Sequence, residues 1–147
     1  MTRAVGRCLL LGLLLASCAS FGGRSSGVAG PIVWRVDEAK TSGTSFNTVY
    51  SFVLVLTERD GAPVTFWRIE KSIWSAGVSG AMGNDYGSWE LPAHGELRLP
   101  MGARLSCWST ACSRPTPPRW SVVLWGRDQS GKELSLPMEI ALPVDLR

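Results

Sequence analysis

Several residue types are scarce in this chain of 147 residues, and each scarcity excludes a class of protein. Four Cys are too few for a densely disulfide-bonded scaffold, and the chain has a single His. There are only 3 Lys against 12 Arg, and the 15 basic residues exceed the 12 acidic ones by three. So small an excess does not argue for a nucleic-acid partner. Hydrophobic residues at 45% and charged residues at 18% exclude a wholly disordered chain.

The chain also lacks an apolar run long enough to cross a bilayer as a helix, which takes about 20 residues. Its N-terminus instead combines Arg3 and Arg7 with a shorter apolar stretch at 9–16, which ends in the tetrapeptide Leu15-Ala16-Ser17-Cys18. This tetrapeptide resembles the lipobox of bacterial lipoproteins. The resemblance implies that residues 1–17 are a signal peptide and that Cys18 becomes the lipidated N-terminus. The alternatives are an ordinary secretory peptide and a buried helix.

Lipidation would make the membrane a partner of the protein through its anchor. Ala19 and Ser20 follow the cysteine, with no Asp at the second position. By resemblance to lipoprotein sorting, this favours the cell envelope, and within it the outer membrane facing the periplasm. Residues 18–30 are rich in Gly and Ser, which predicts a flexible tether after the lipidated Cys18.

The body of the chain, 31–147, has the two-residue period of β-strands. We expect one hairpin over 50–73, turning at Asp60-Gly61, and another over 120–142, turning at Asp128 to Gly131. Pro137 lacks an amide donor, which predicts that the last strand is an edge strand or carries a bulge at this position. This pattern resembles immunoglobulin-like and fibronectin-III-like domains and implies an all-β fold, a single β-sandwich of about seven strands. A small barrel is the alternative.

The sequence offers no motif for a cofactor, a metal or catalysis. His94 stands in a predicted loop without a nucleophile motif near it, and the twelve carboxylates are scattered. We therefore expect a non-catalytic interaction or assembly domain without a cofactor or metal. A carbohydrate module that binds cell-wall glycan is one alternative, and a cell-wall hydrolase with two carboxylates is another.

Two cysteines remain after Cys8 is removed with the signal peptide and Cys18 is lipidated. Cys107 and Cys112 are separated by four residues, and an exported pair of this kind is expected to form a local disulfide. A reduced pair and a metal or redox site are the alternatives.

Seven tryptophans are an unusually large number for this length. Trp34 and Trp120 fall in strand patterns and are expected in the core. Four other aromatic residues fall at strand ends or in predicted loops, and the glycine-rich stretch 74–94 is expected to be a long flexible connection. Exposed aromatic side chains bind protein partners or stack on sugars, so we expect any binding at one end of the sandwich. The candidate binding aromatics are Trp74, Tyr86, Trp89 and Trp108. The alternative is that these rings cover the ends of the core.

The lipobox resemblance leads to a first test. We expect Cys18→Ser to move the protein from the membrane fraction to the soluble or uncleaved fraction, because the substitution removes the thiol that carries the lipid. Fractionation and labelling with a fatty-acid probe measure both effects. A parent protein that takes up no probe, with a variant that stays on the membrane, would contradict the lipoprotein hypothesis.

Overall fold

The computed structural model describes residues 25–44, 47–75, 78–106 and 119–142. Cys18, Cys107, Trp108 and Cys112 lie outside these ranges, so the lipid anchor and the disulfide stay predictions. In the described part of the chain, no helix combines the length and apolar character that a bilayer crossing requires.

The described chain forms two antiparallel four-stranded sheets that pack face to face. The eight strands are β1 (Ser26–Ala29), β2 (Ile32–Thr44), β3 (Asn47–Glu58), β4 (Val64–Ser75), β5 (Val78–Leu91), β6 (Glu96–Ser106), β7 (Arg119–Asp128) and β8 (Glu133–Ala141). One sheet has the order β1-β2-β3-β6 and the other the order β5-β4-β7-β8. This confirms the prediction of an all-β, single β-sandwich domain.

The core is built from the alternate side chains that the two-residue period predicts. Trp120 is fully buried, and Phe52 from the opposite sheet meets its ring edge-on at 4.9 Å between centroids. Trp34 is also buried, so both expected core tryptophans are confirmed. The remaining buried side chains on the facing sides of the sheets include Leu54, Leu56, Phe66, Ile73, Leu91, Leu124 and Ile140.

The hairpin predicted over 120–142 is confirmed, because β7 and β8 pair along their whole length. Pro137 lies on β8, which is an edge strand as expected. The hairpin predicted over 50–73 is wrong. β3 and β4 belong to different sheets, so the turn at Asp60-Gly61 leads the chain across the sandwich. A short loop can join two strands of the same hairpin or two strands in different sheets. Strand periodicity alone does not distinguish these two connections.

Two further predictions about loops need correction. Residues 78–91 form the strand β5, paired with β4, and not part of a long flexible connection. Residues 26–29 form β1, so the predicted tether ends before them. Gly27 lies directly against the indole of Trp34, where a Cβ would come within 2.7 Å of the ring. A glycine expected to give flexibility therefore gives close packing.

The two sheets are interlocked. β3 and β6 are neighbours in one sheet, whereas β4 and β7 are neighbours in the other. The chain crosses the sandwich from β3 to β4, from β5 to β6 and from β6 to β7. The β3–β6 pair and the β4–β7 pair therefore each join strands that are separated along the chain by at least one strand of the other sheet.

One buried carboxylate joins two of these crossings. Glu58 ends β3 and is 1% exposed. Its carboxylate accepts hydrogen bonds from the backbone N–H groups of Asp60 at 2.7 Å, Gly61 at 2.8 Å and His94 at 2.9 Å. The first two donors lie in the β3–β4 crossing and the third in the β5–β6 crossing. The exposed loop position predicted for His94 itself is confirmed.

The same contacts explain the ionisation of Glu58. Burial opposes the charged form, but backbone donors from His94, Asp60, Gly61 and Ala62 outweigh it and lower the pKa from 4.5 to about 2. Because the pKa is lower in the folded protein, this group stabilises the fold fully above pH 4.5. That contribution is lost as the pH falls from 4.5 towards about 2.

We expect Glu58→Gln to lower the thermal midpoint at pH 7 and to flatten its decline between pH 5 and 2. The amide has one acceptor oxygen for three backbone donors, and it does not titrate. Thermal unfolding followed across this pH range measures both effects. Glu139→Gln, at an exposed position of β8, is the control and should keep the slope of the parent. An acid slope in Glu58→Gln equal to that of the parent would contradict this account.

Candidate functional site

The outward side of the sheet β5-β4-β7-β8 carries the candidate site, which we call the outer face. Strand alternation places Thr65, Glu70 and Ser72 of β4 on it, opposite the buried Phe66 and Ile73. A β-bulge between Phe66 and Arg68 shifts the phase and lets both Trp67 and Arg68 contribute to this face.

A row of three side chains crosses the outer face. Arg68 pairs with Tyr86 on one side and with Trp125 on the other. Its guanidinium lies 4.7 Å from the centre of the Trp125 ring and forms an ion pair with Glu70 at 2.9 Å. Tyr86 is 72% exposed, the most exposed aromatic side chain in the described residues. Arg68 therefore holds the Trp125 ring on β7 in place, while the Tyr86 ring on the edge strand β5 stays free.

Two polar hydrogens in this row have no acceptor. Nε of Arg68 and Nε1 of Trp125 are buried and have no hydrogen-bond partner among the described residues. Nε1 of the core residue Trp120 is unpaired in the same way, so these buried donors do not by themselves mark a ligand site.

A second arginine and a second tryptophan repeat the arrangement beside the bulge. The guanidinium of Arg127 lies 5.0 Å from the centre of the Trp67 ring and 3.0 Å from a carboxylate oxygen of Glu133. Near the other end of the sheet, Trp74 pairs with Arg119 and is 53% exposed. Aromatic rings and arginines thus extend along the length of the face.

A shallow open groove of about 380 Å³ lies on the same sheet. It is lined by Glu70, Lys71, Ser72, Gly83, Asn84, Ser121 and Val123. No cluster of His, Cys, Asp and Glu that could hold a metal occurs in the described ranges.

On the outward side of the other sheet, ion-paired arginines cover part of the apolar surface, although Val28 on the edge strand is 70% exposed. Val55 points outward there but is fully buried. Arg35 and Arg98 flank it in the register and pair with Asp37 and Glu96 at 3.2–3.4 Å. The stems of the two arginines cover the valine while their charged ends are satisfied by carboxylates.

The sequence-predicted aromatics divide between these surroundings. Trp74 and Tyr86 lie on the outer face, on strands and not on end loops. Trp89 pairs with Phe66 and packs against the core, so it does not belong to this face. Trp108 lies outside the described residues, but Arg119, which follows that segment, pairs with Trp74.

Sequence reasoning missed Trp67, Arg68, Trp125 and Arg127. Trp125 could have been found, because strand alternation from the core residues Trp120 and Leu124 turns it outward. Trp67 and Arg68 could not, since a bulge changes which side each residue faces and has no reliable sequence signal here.

Comparison with known proteins identifies the architecture. No family model and no curated protein matches the chain. An X-ray structure of the structural genomics target SoR45 is similar with a TM-score of 0.60 and 15% identity, over 82% of this chain and 94% of that one. A protein assigned as ApaA from Bordetella pertussis is similar with a TM-score of 0.61 and 12% identity, over 86% of this chain and 100% of that one. At such identities the likeness supports the fold alone.

The different surroundings of Tyr86 and Trp89 can be tested by substitution. We expect Tyr86→Ala to change the free energy of unfolding by less than about 0.5 kcal/mol, as exposed positions do. Trp89→Ala should cost roughly 2 kcal/mol, about half of what emptying a fully buried aromatic site costs. Urea unfolding measures both. Equal losses in the two variants would contradict the assignment of Tyr86 to a free surface.

Proposed function

We propose that this protein is a lipid-anchored envelope protein whose sandwich domain is non-catalytic and binds a protein partner through the outer face. The anchor is Cys18, and the proposed location is the outer membrane facing the periplasm. The lipobox resemblance of 15–18 supports the anchor.

The observation that carries the binding function is the exposure of Tyr86 and Trp74 on one sheet face that also holds Arg68, Trp125 and Arg127. Tyrosine, tryptophan and arginine are the residues that dominate binding energy at protein interfaces. In the described residues, the outward side of the opposite sheet has one exposed large apolar side chain, Val28, and no exposed aromatic one.

The anchor would keep this surface close to the membrane. Eight residue steps separate Cys18 from Ser26, where β1 begins. A fully extended chain spans at most about 3.6 Å per residue, so the start of the domain lies within roughly 29 Å of the lipidated residue. The proposed partner is therefore itself at or near the membrane.

Cell-wall glycan is the second candidate partner. The groove offers the carboxylate of Glu70, the amide of Asn84 and the hydroxyl of Ser121, and the exposed Tyr86 ring of the outer face can stack on a sugar. Among the groove-lining residues in the described chain Glu70 is the one carboxylate, so the pair that a glycosidase needs is missing there and we do not propose a hydrolase.

A photo-crosslinking amino acid at position 74 tests the proposal. p-Benzoylphenylalanine replaces Trp74 with another aromatic group on the outer face, and the matched control replaces Val28, which is 70% exposed on β1 of the other sheet. After irradiation of native envelopes, we expect position 74 to give a higher-mass adduct that protease removes, and position 28 to give none.

The alternative outcomes are distinct. An adduct that muramidase removes would assign the glycan partner instead of a protein. The absence of any adduct at position 74, or equal adducts at both positions, would overturn the proposed function. A product at twice the mass of this chain reports self-association and does not support the proposed function.

A further inference from the structure

Each sheet has two edge strands, and three of these four edges carry protection against pairing with another strand. β1 is only four residues long. β6 contains Pro100 between Arg98 and Arg104, and β8 contains Pro137. Short length, proline and charged side chains are the usual means by which sheets avoid joining edge to edge.

The fourth edge, β5, is neither short nor interrupted by proline, and its charged side chains are Asp85 and Glu90. It runs for 14 residues without a proline, lysine or arginine. In the described chain it pairs with β4 on one side only, and its residues 83–88 are exposed. Its pairing with β4 shifts register on both sides of a regular stretch that runs from Met82 to Tyr86. The central residue of that stretch is Asn84.

We propose that two copies of this chain join through their β5 edges, antiparallel about a two-fold axis at Asn84, to form one continuous eight-stranded sheet. Closed two-fold symmetry is the commonest arrangement of soluble oligomers. The inference goes beyond the proposed function: it rests on a strand edge and shares only Tyr86 with the outer face on which that function rests.

The charge pattern of β5 favours this register. A two-fold axis at Asn84 sets Asp85 of one copy opposite Gly83 of the other, so no like charges meet. An axis at Asp85 would set two carboxylates opposite each other, which is destabilising. Asp85 is also paired with Lys71 of its own chain, which neutralises it before association.

Tyr86 gives a second argument for a second copy. At this register it stands opposite residue 82 of the other copy, inside the regular stretch, and the added strand covers part of a ring that is 72% exposed in the single chain. An axis at Gly83 would move Tyr86 opposite residue 80, beyond that stretch. Only the axis at Asn84 uses the whole regular stretch of both copies.

A cysteine at the axis tests the contact directly in native membranes. Residues directly opposite in an antiparallel pair have Cβ atoms about 4.5–5.5 Å apart, close enough for a short crosslink. We expect Asn84→Cys in the full chain to give a covalent dimer under mild oxidation or with a short bismaleimide. The unsubstituted chain is the control for any crosslink that forms through the native cysteines. Gly102→Cys on the β6 edge is the matched control, since a Cβ there meets only an ordinary contact at 3.5 Å from Tyr50, and it should stay monomeric.

A charge at the axis tests the same register without a covalent bond. Asn84→Asp places two carboxylates opposite each other at the two-fold axis, beside Glu70 of each chain. Asn47→Asp makes the same change at an exposed position on the other sheet. In sedimentation of the detergent-extracted full chain, we expect dimers for the parent and for Asn47→Asp, and monomers for Asn84→Asp.

A monomeric parent, a dimeric Asn84→Asp variant, or equal crosslinking at positions 84 and 102 would overturn the dimer. None of these results bears on a hetero-adduct from position 74, which reports on the proposed function alone. Conversely, a dimer without any such adduct would support this inference and reject the interaction domain.

Discussion

The hydrogen bonds that the Glu58 carboxylate accepts are the contact on which the two-sheet arrangement depends at one end of the sandwich. Two of the chain's crossings between sheets meet there, and each presents backbone N–H groups that β-ladders do not satisfy. A carboxylate has enough lone pairs to serve both crossings, whereas a neutral side chain does not. The packing is correspondingly tight, since a Cβ on Gly61, whose φ is +80°, would come within 2.7 Å of the His94 ring.

The parts of the fold that follow from local alternation could be predicted from the sequence. The inward positions of Phe52, Leu54 and Leu56 and the β7–β8 hairpin are examples, because each depends on the two-residue period and a nearby turn. The partner sheet of β4 could not be predicted. It depends on whether a five-residue loop folds back on its own strand or crosses to the other layer, and that choice is made by contacts distant in sequence, such as Glu58 with His94.

The candidate site shows the same limit at the level of single residues. Composition drew attention to the tryptophans, and Trp74 and Tyr86 are exposed. Their arrangement as a face with arginines depends on the bulge at Trp67, which brings two consecutive residues into contact with groups on β7. The opposite sheet uses arginines for another purpose, since Arg35 and Arg98 there close over Val55. The number of arginines in the sequence does not show which of them cover an apolar side chain and which lie beside exposed aromatic rings.

The pairing of β1 with β2 has a mechanical consequence if the chain is held at Cys18. Tension applied from the lipid end reaches Ser26 first, at the open end of a hairpin whose strands pair through only four residue positions. Hydrogen bonds in that geometry are loaded one after another, so β1 would peel away before the rest of the domain yields. Freeing residues 26–31 would lengthen the reach of the domain by about 20 Å. The Trp34 indole, which lies against Gly27, sets the resistance to this extension, because peeling exposes its ring to water.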